Sequence, residues 1–161
     1  MGRSGRLKQY HVCFVCTGNI CRSPMAEAIF TDVLRQEGLA HLVRVSSAGT
    51  APWNIGNPAD PRAAEALRRA GYDCTHTAAQ LSAQHLSADL LVALDYGHFT
   101  TLRRMVRDPE RVMLLRSFDQ DAGKNLDVPD PYFGGEPGFD EVLRMIHAAT
   151  PGLVAWVRER L

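Results

Sequence analysis

The chain has 161 residues, 45% hydrophobic and 22% charged, a composition that suits one globular core and excludes a disordered or fibrous protein. Eighteen Lys and Arg balance 18 Asp and Glu, so no global attraction to nucleic acid or to an anionic membrane is expected. No apolar run approaches the roughly 20 residues of a membrane-spanning helix, and four cysteines are too few for a disulfide scaffold.

Arg3, Arg6 and Lys8 lie among Gly2, Ser4 and Gly5, with no signal-peptide core behind them. Residues 1–9 are therefore expected to be a flexible basic tail and residues 10–161 a single domain. A cytoplasmic location is the default expectation, with signal-independent export left open, and the chain is expected to be a monomer. Tyr10 to Val15 reads as a strand that is apolar on both faces, as in the middle of a parallel sheet. Ser23 to Glu37 reads as a helix with Ser23 as N-cap, Pro24 at its first position, Glu27 as a favourable early charge and Gly38 as its stop. Leu42 to Ala48 is a second strand, and the Gly/Pro/Asn-rich stretch from Gly49 to Asn57 is a loop carrying Trp53.

Pro58 to Gly71 predicts a second helix, followed by an irregular stretch from Asp73 to His85. Leu90 to Leu94 is a buried strand ending at Asp95, His98 to Arg104 a helix, and Arg111 to Leu115 a short strand. Ser117 to Gly138 is mostly loop, and Phe139 to Leu161 a last helix in which Pro151 predicts a break near Thr150. This alternation predicts an α/β fold: a four-stranded parallel sheet with helices on both faces. Ligands in such sheets sit at the carboxyl ends of the strands. Cys16 and Asp95 each follow such an end.

Cys16 and Arg22 are separated by five residues on a strand-to-helix turn, Thr17-Gly18-Asn19-Ile20-Cys21. Backbone N–H groups of such a turn converge on one anion, and a guanidinium adds a fork matched to phosphate oxygens. Cys16 stands where that positive field favours a thiolate nucleophile. The pattern reads as the phosphate-binding loop of a cysteine-dependent phosphatase, at the C-terminal end of the first strand. Gly18 permits a tight turn, Asn19 suits a turn position with positive φ, and Ser23 has a hydroxyl that could face a departing thiolate. The bland alternative, a structural thiol beside a surface arginine, fits this strand-turn-helix context less well.

A phosphatase also needs an acid for the leaving oxygen. Asp130, in Val128-Pro129-Asp130-Pro131-Tyr132-Phe133, is the best candidate, because two prolines stiffen the segment and the aromatics can wall a ring-bearing substrate. Asp127 and Asp119 are the runners-up. Trp53 is either a second wall or a loop anchor, and His76 with Ser47 either a supporting network or ordinary structure. Cys13 and Cys74 read as packing residues.

The stretch from Val15 to Glu27, Ser46-Ser47-Ala48-Gly49-Thr50 and Asp130-Pro131-Tyr132 together resemble the low-molecular-weight protein tyrosine phosphatases, and within them the actinobacterial branch. The resemblance covers His11 to Leu161. It implies hydrolysis of phosphotyrosine in proteins through a cysteinyl-phosphate, with Cys16 as nucleophile, Arg22 as phosphate binder and Asp130 as general acid and then base. It implies a substrate site of Thr17, Gly18, Asn19, Ile20, Cys21 and Ser23 with Trp53 and Tyr132 as walls. It also implies a supporting network of Asn19, Ser23, Ser47 and His76, and reversible pairing of Cys16 with Cys21 under oxidation. No metal or cofactor is implied, since loop amides and Arg22 take the charge role, and inorganic phosphate or other oxyanions are implied as product or inhibitor. Two departures stand out. Phe133 replaces the second tyrosine found in many relatives, and Ala79 replaces the arginine of their His-x-Ala-Arg-Gln stretch. Arginine phosphatases of the superfamily tend to carry Thr where Ile20 stands, which favours an aromatic ester here. Arsenate reductase chemistry would need resolving cysteines late in the chain, and none follows Cys74.

Overall fold

β1 spans Tyr10–Cys16, and every residue from His11 onward is buried. Successive side chains of a strand point to opposite faces. Val12, Phe14 and Cys16 accordingly enter one apolar cluster, and Cys13 and Val15 another. Three further strands, β2 (Val43–Gly49), β3 (Leu90–Ala93) and β4 (Val112–Leu114), complete a parallel sheet in the order β2-β1-β3-β4. The structure is a computed structural model and describes residues 8–161. Most of the expected basic tail therefore lies outside the described residues, and Lys8 and Gln9 are exposed.

α1 (Arg22–Gln36), α2 (Pro61–Arg69), α3 (Ala83–Leu86), α4 (Tyr96–Met105) and α5 (Glu136–Arg158) surround the sheet. Met25 and Ile29 of α1, Leu67 of α2, and Val142 and Ile146 of α5 pack on the Phe14 face, while Leu102 of α4 packs on the Cys13 face. Phe14 meets Phe30 edge to face at 5.6 Å. The four-stranded parallel sheet with helices on both faces is thus the observed architecture. Among the described residues no helix is long and apolar enough to cross a membrane.

Several boundaries differ from expectation. α2 begins at Pro61, where the Asp60 carboxylate accepts the Arg62 N–H at 2.8 Å, rather than at Pro58. α4 begins two residues early because Asp95 caps it, accepting the His98 N–H. Cys21, not Ser23, occupies the N-cap of α1, and no side chain caps that end. Ser23 is fully buried inside the first turn, its hydroxyl committed to the loop before it. Glu27 does not serve the helix start either, since its carboxylate takes the Ser47 hydroxyl at 2.6 Å.

The break expected at Pro151 does not occur. α5 runs through it because one buried stripe, Phe139, Val142, Ile146, Ala149, Leu153 and Val157, continues on both sides and holds the two halves on a common face. Thr150 adds a side-chain bond from Oγ1 to the Ile146 carbonyl at 2.7 Å in the same turn. Gly152 lets the helix touch the turn Leu115–Phe118, since a Cβ there would lie 2.1 Å from the Phe118 carbonyl oxygen. Gly152→Ala is expected to destabilise the fold by about 1–3 kcal/mol, overpacking outweighing the better helix propensity of Ala. A urea midpoint equal to wild type would show that the contact yields freely.

Candidate active site

β1 ends at Cys16, and residues 17–21 turn the chain into α1. Asn19 makes the turn with φ at 57°, the left-handed region in which Asn is tolerated. Gly49 at the end of β2 lets the turn pack against it, because a Cβ would stand 2.6 Å from the Thr17 carbonyl oxygen. The N–H groups of Thr50 and Ala51 hold the Cys16 and Thr17 carbonyls at 2.9 and 3.0 Å. Among the described residues no protein acceptor takes an N–H from Thr17 to Ser23. A ring of unclaimed donors is left on the turn that follows Cys16, a residue that is 2% exposed.

Hydrogen-bond direction behind this ring follows from one backbone group. The Ala79 N–H must donate, and it meets Asn19 Oδ1 at 2.9 Å. The amide nitrogen therefore faces the two serines, donating to Ser23 Oγ at 2.7 Å and Ser47 Oγ at 3.0 Å. The Ser47 hydroxyl donates to Glu27 Oε1. The Ser23 proton is left for Cys16 Sγ, 2.9 Å away. His76 Nε2 donates to the Asn19 carbonyl at 2.7 Å, and its Nδ1 lies 4.0 Å from Glu27. Burial raises the Glu27 carboxyl above its ordinary range against the opposing Ser47 bond.

On the other side of the ring Arg22, 3% exposed, is held by two acceptors: Asp95 Oδ2 at 2.7 Å and the Val128 carbonyl at 2.9 Å. Burial alone would raise the Asp95 carboxyl, but the Arg22 bond and the nearby His98 outweigh it and hold it below the usual range. Asp95 N–H donates to His98 Nδ1, so Nε2 carries the proton and donates to Thr17 Oγ1 at 2.8 Å. Burial lowers His98 to about 4, so the imidazole is neutral at working pH. Asp95 and His98 were not among the expected site residues. The position of Asp95 after a strand was the one signal pointing to them.

Asp130 lies across the opening, Oδ2 3.7 Å from Arg22 Nη2 and Oδ1 accepting the Tyr132 N–H at 3.1 Å. A cavity of about 250 Å³ separates it from Cys16. Thr17, Gly18, Ile20 and Cys21 line its floor, and Trp53 and Tyr132 stand at its walls. Asn54 and the almost fully exposed Phe133 complete the rim; Phe133 is one of the aromatics expected to wall the substrate, and Asn54 was not expected. Asn19, Ser23, Ser47 and His76 are gathered behind the floor rather than in the cavity. Asp127 is committed to the Tyr96 N–H at 2.8 Å and Asp119 to the Asp121 N–H at 2.9 Å, so neither runner-up faces the opening. Both Cys16 and Cys21 are free thiols. Burial, reinforced by Asp60, pushes Cys21 up to about 12. Among the described residues no group of three His, Cys, Asp or Glu side chains is placed to hold a metal ion.

A cysteine under a donor ring, a paired arginine and a carboxylic acid across an aromatic-walled cavity make a geometry suited to cleaving a phosphomonoester, and the chain as a whole is similar to known phosphatases. The sequence profile described as "Low molecular weight phosphotyrosine protein phosphatase" matches residues 11–161. "Low molecular weight protein-tyrosine phosphatase A" of Mycobacterium tuberculosis is 55% identical over 152 residues, covering 94% of this chain and 93% of that one. A low-molecular-weight protein-tyrosine-phosphatase of Streptomyces coelicolor is 54% identical over 157 residues, covering 94% and 96%. The crystal structure of a protein tyrosine phosphatase from Entamoeba histolytica superposes with a TM-score of 0.88 at 30% identity, covering 92% of this chain and 97% of that one. The chain belongs to the low-molecular-weight protein tyrosine phosphatase family.

Proposed function

We propose that this phosphatase hydrolyses phosphotyrosine in proteins in two steps at Cys16. The Cys16 thiolate attacks phosphorus in line, a sulfur–phosphorus bond forms, and Asp130 gives its proton to the phenolic oxygen as the phosphorus–oxygen bond breaks. Asp130 then takes a proton from water, which attacks phosphorus and releases inorganic phosphate and the thiolate. The Ser23 hydroxyl, pointed at Sγ, stabilises sulfur as it departs. Arg22 and the loop N–H groups hold the equatorial oxygens throughout, so catalysis is positioning and electrostatics.

The observation that carries this reading is the buried Sγ under unclaimed N–H groups, with one carboxylate facing it across the cavity. Ile20, Trp53 and Tyr132 supply the apolar lining that a phenyl ring requires. Phosphotyrosine, phosphoserine and phosphoarginine peptides test the substrate, with preferential turnover of either of the latter two overturning it. Asp130→Ala is expected to slow phosphotyrosine hydrolysis by about 10²-fold or more and to spare aryl phosphates whose phenol leaves without protonation. Equal losses across leaving groups would remove Asp130 from the acid role.

Cys21, beside Cys16 in the same cavity, supports a redox guard as well. Peroxide would oxidise the Cys16 thiolate to a sulfenic acid, and the Cys21 sulfur would displace its hydroxyl as water to form a disulfide.

A further inference from the structure

We infer that Arg62 is a positioning residue: it ties the segment carrying Asp130 to the phosphate loop and so sets how well Asp130 is aimed at the departing oxygen. The inference rests on the reading of Asp130 as the acid. Asp60, just before α2, is bonded to the phosphate loop through its own N–H, which donates to the Ile20 carbonyl at 2.8 Å. Its carboxylate, 7% exposed, forks the Arg62 guanidinium, with Nε at 3.1 Å from Oδ1 and Nη2 at 3.0 Å from Oδ2. The far edge of the guanidinium reaches the acid segment. Nη2 donates to the Tyr132 carbonyl at 2.9 Å and Nη1 to the Gly134 carbonyl at 3.0 Å. Its Cζ also lies over two aromatic rings, 4.7 Å from the Phe139 ring centre and 5.5 Å from that of Tyr132.

Asp130 therefore lies midway between two anchors. On one side Val128 is fixed to the sheet, its N–H donating to the Leu94 carbonyl at 2.9 Å and its carbonyl accepting from Arg22. On the other side, two residues past Asp130, the chain is fixed among the described residues by Arg62 alone of the charged groups. Pro129 and Pro131 lock their own φ angles, so the short span between anchors has few ways to relax. Gly134 and Gly135 follow at once, and a segment released from Arg62 would pivot there. Phe139 is wholly buried, which gives the guanidinium a fixed floor. Lysine carries the charge but not the planar fork and cannot make these bonds together.

Arg62→Ala tests this, with Arg62→Lys giving the same comparison should the alanine variant fold poorly. In Arg62→Ala, kcat on a phosphotyrosine peptide and on phenyl phosphate is expected to fall about tenfold to 100-fold, with a much smaller loss on p-nitrophenyl phosphate, whose phenolate leaves unaided. In an Asp130→Ala background the same change is expected to have no further effect on kcat. Inhibition by inorganic phosphate is expected to be unchanged, because Arg62 is not part of the anion cradle. A loss equal across leaving groups, or one that persists in full without Asp130, would show a merely structural role and overturn the inference. If Asp130→Ala alone lacks leaving-group dependence, the acid reading falls and this inference with it. If Asp130→Ala shows that dependence and Arg62→Ala does not, only the inference falls.

Discussion

Cys16→Ser is expected to lower phosphatase turnover by roughly 10⁴-fold or more, the scale on which enzymes respond to loss of a nucleophile. A serine hydroxyl in the same cradle is a far weaker nucleophile toward phosphorus than the sulfur it replaces. The cradle itself does not depend on sulfur. Its donors come from the backbone of residues 17–23, and its shape from Asn19 and Gly49. The variant is therefore expected to bind inorganic phosphate about as well as wild type, read as protection against thermal unfolding. Steady-state turnover on phosphotyrosine peptides measures the loss. Turnover at the wild-type rate would show that the ester is cleaved by another group.

Arg22→Lys is expected to cost about 10²–10³-fold in kcat, the range for removing a preorganised donor to developing oxyanion charge. Arg22 uses Nη1 for Asp95 and Val128 and leaves Nη2 facing the cavity toward Asp130. The protein thereby spends one edge of the guanidinium on aiming the other. A lysine ammonium is a point charge on a flexible stem and can satisfy Asp95 or the phosphate, but not both in this geometry. Alanine is the poorer test because it would strand the partly buried Asp95 carboxylate and mix stability with catalysis. Kinetics on phosphotyrosine peptide, with unfolding followed in parallel, separates the two. A lysine variant with wild-type kcat would mean that the loop N–H groups alone carry the transition-state charge.

The wild-type sulfur is kept ready by an arrangement in which each proton has one direction. Ala79 orients the Asn19 amide, Asn19 orients Ser23, and Ser23 is left with a proton only for Cys16. On the opposite flank the neutral His98 performs the same service for Thr17. Asn19, Ser23 and His98 are themselves buried, which limits the water that could compete for these bonds.

The fold was legible in large part because its signals are local. β1 announces itself by an apolar run, α2 by its alanine-rich propensity although not by its first residue, and α1 by Gly38 at its end. The errors have local causes too. Ser23-Pro24 looks like a helix start, yet the helix begins one residue earlier, at Arg22, and the Ser23 hydroxyl faces Cys16 instead of capping that helix. Pro151 looks like a break, yet packing on both sides of it holds α5 together.

The alternation of strands and helices and the loop from Cys16 to Ser23 were legible from the sequence alone, and Pro129-Asp130-Pro131 was its candidate for the acid, because each is written within a few neighbouring residues. The partners that complete the site come together only in the folded chain. Arg22 meets Asp95 across 73 residues, Thr17 meets His98 across 81, and Arg62 meets Tyr132 across 70. Apart from the position of Asp95 after a strand, no local pattern distinguishes these Asp, His and Arg residues from those on solvated helix faces. Their roles follow from the strand order β2-β1-β3-β4, which sets the end of β3 beside the end of β1 and brings the acid segment back over both.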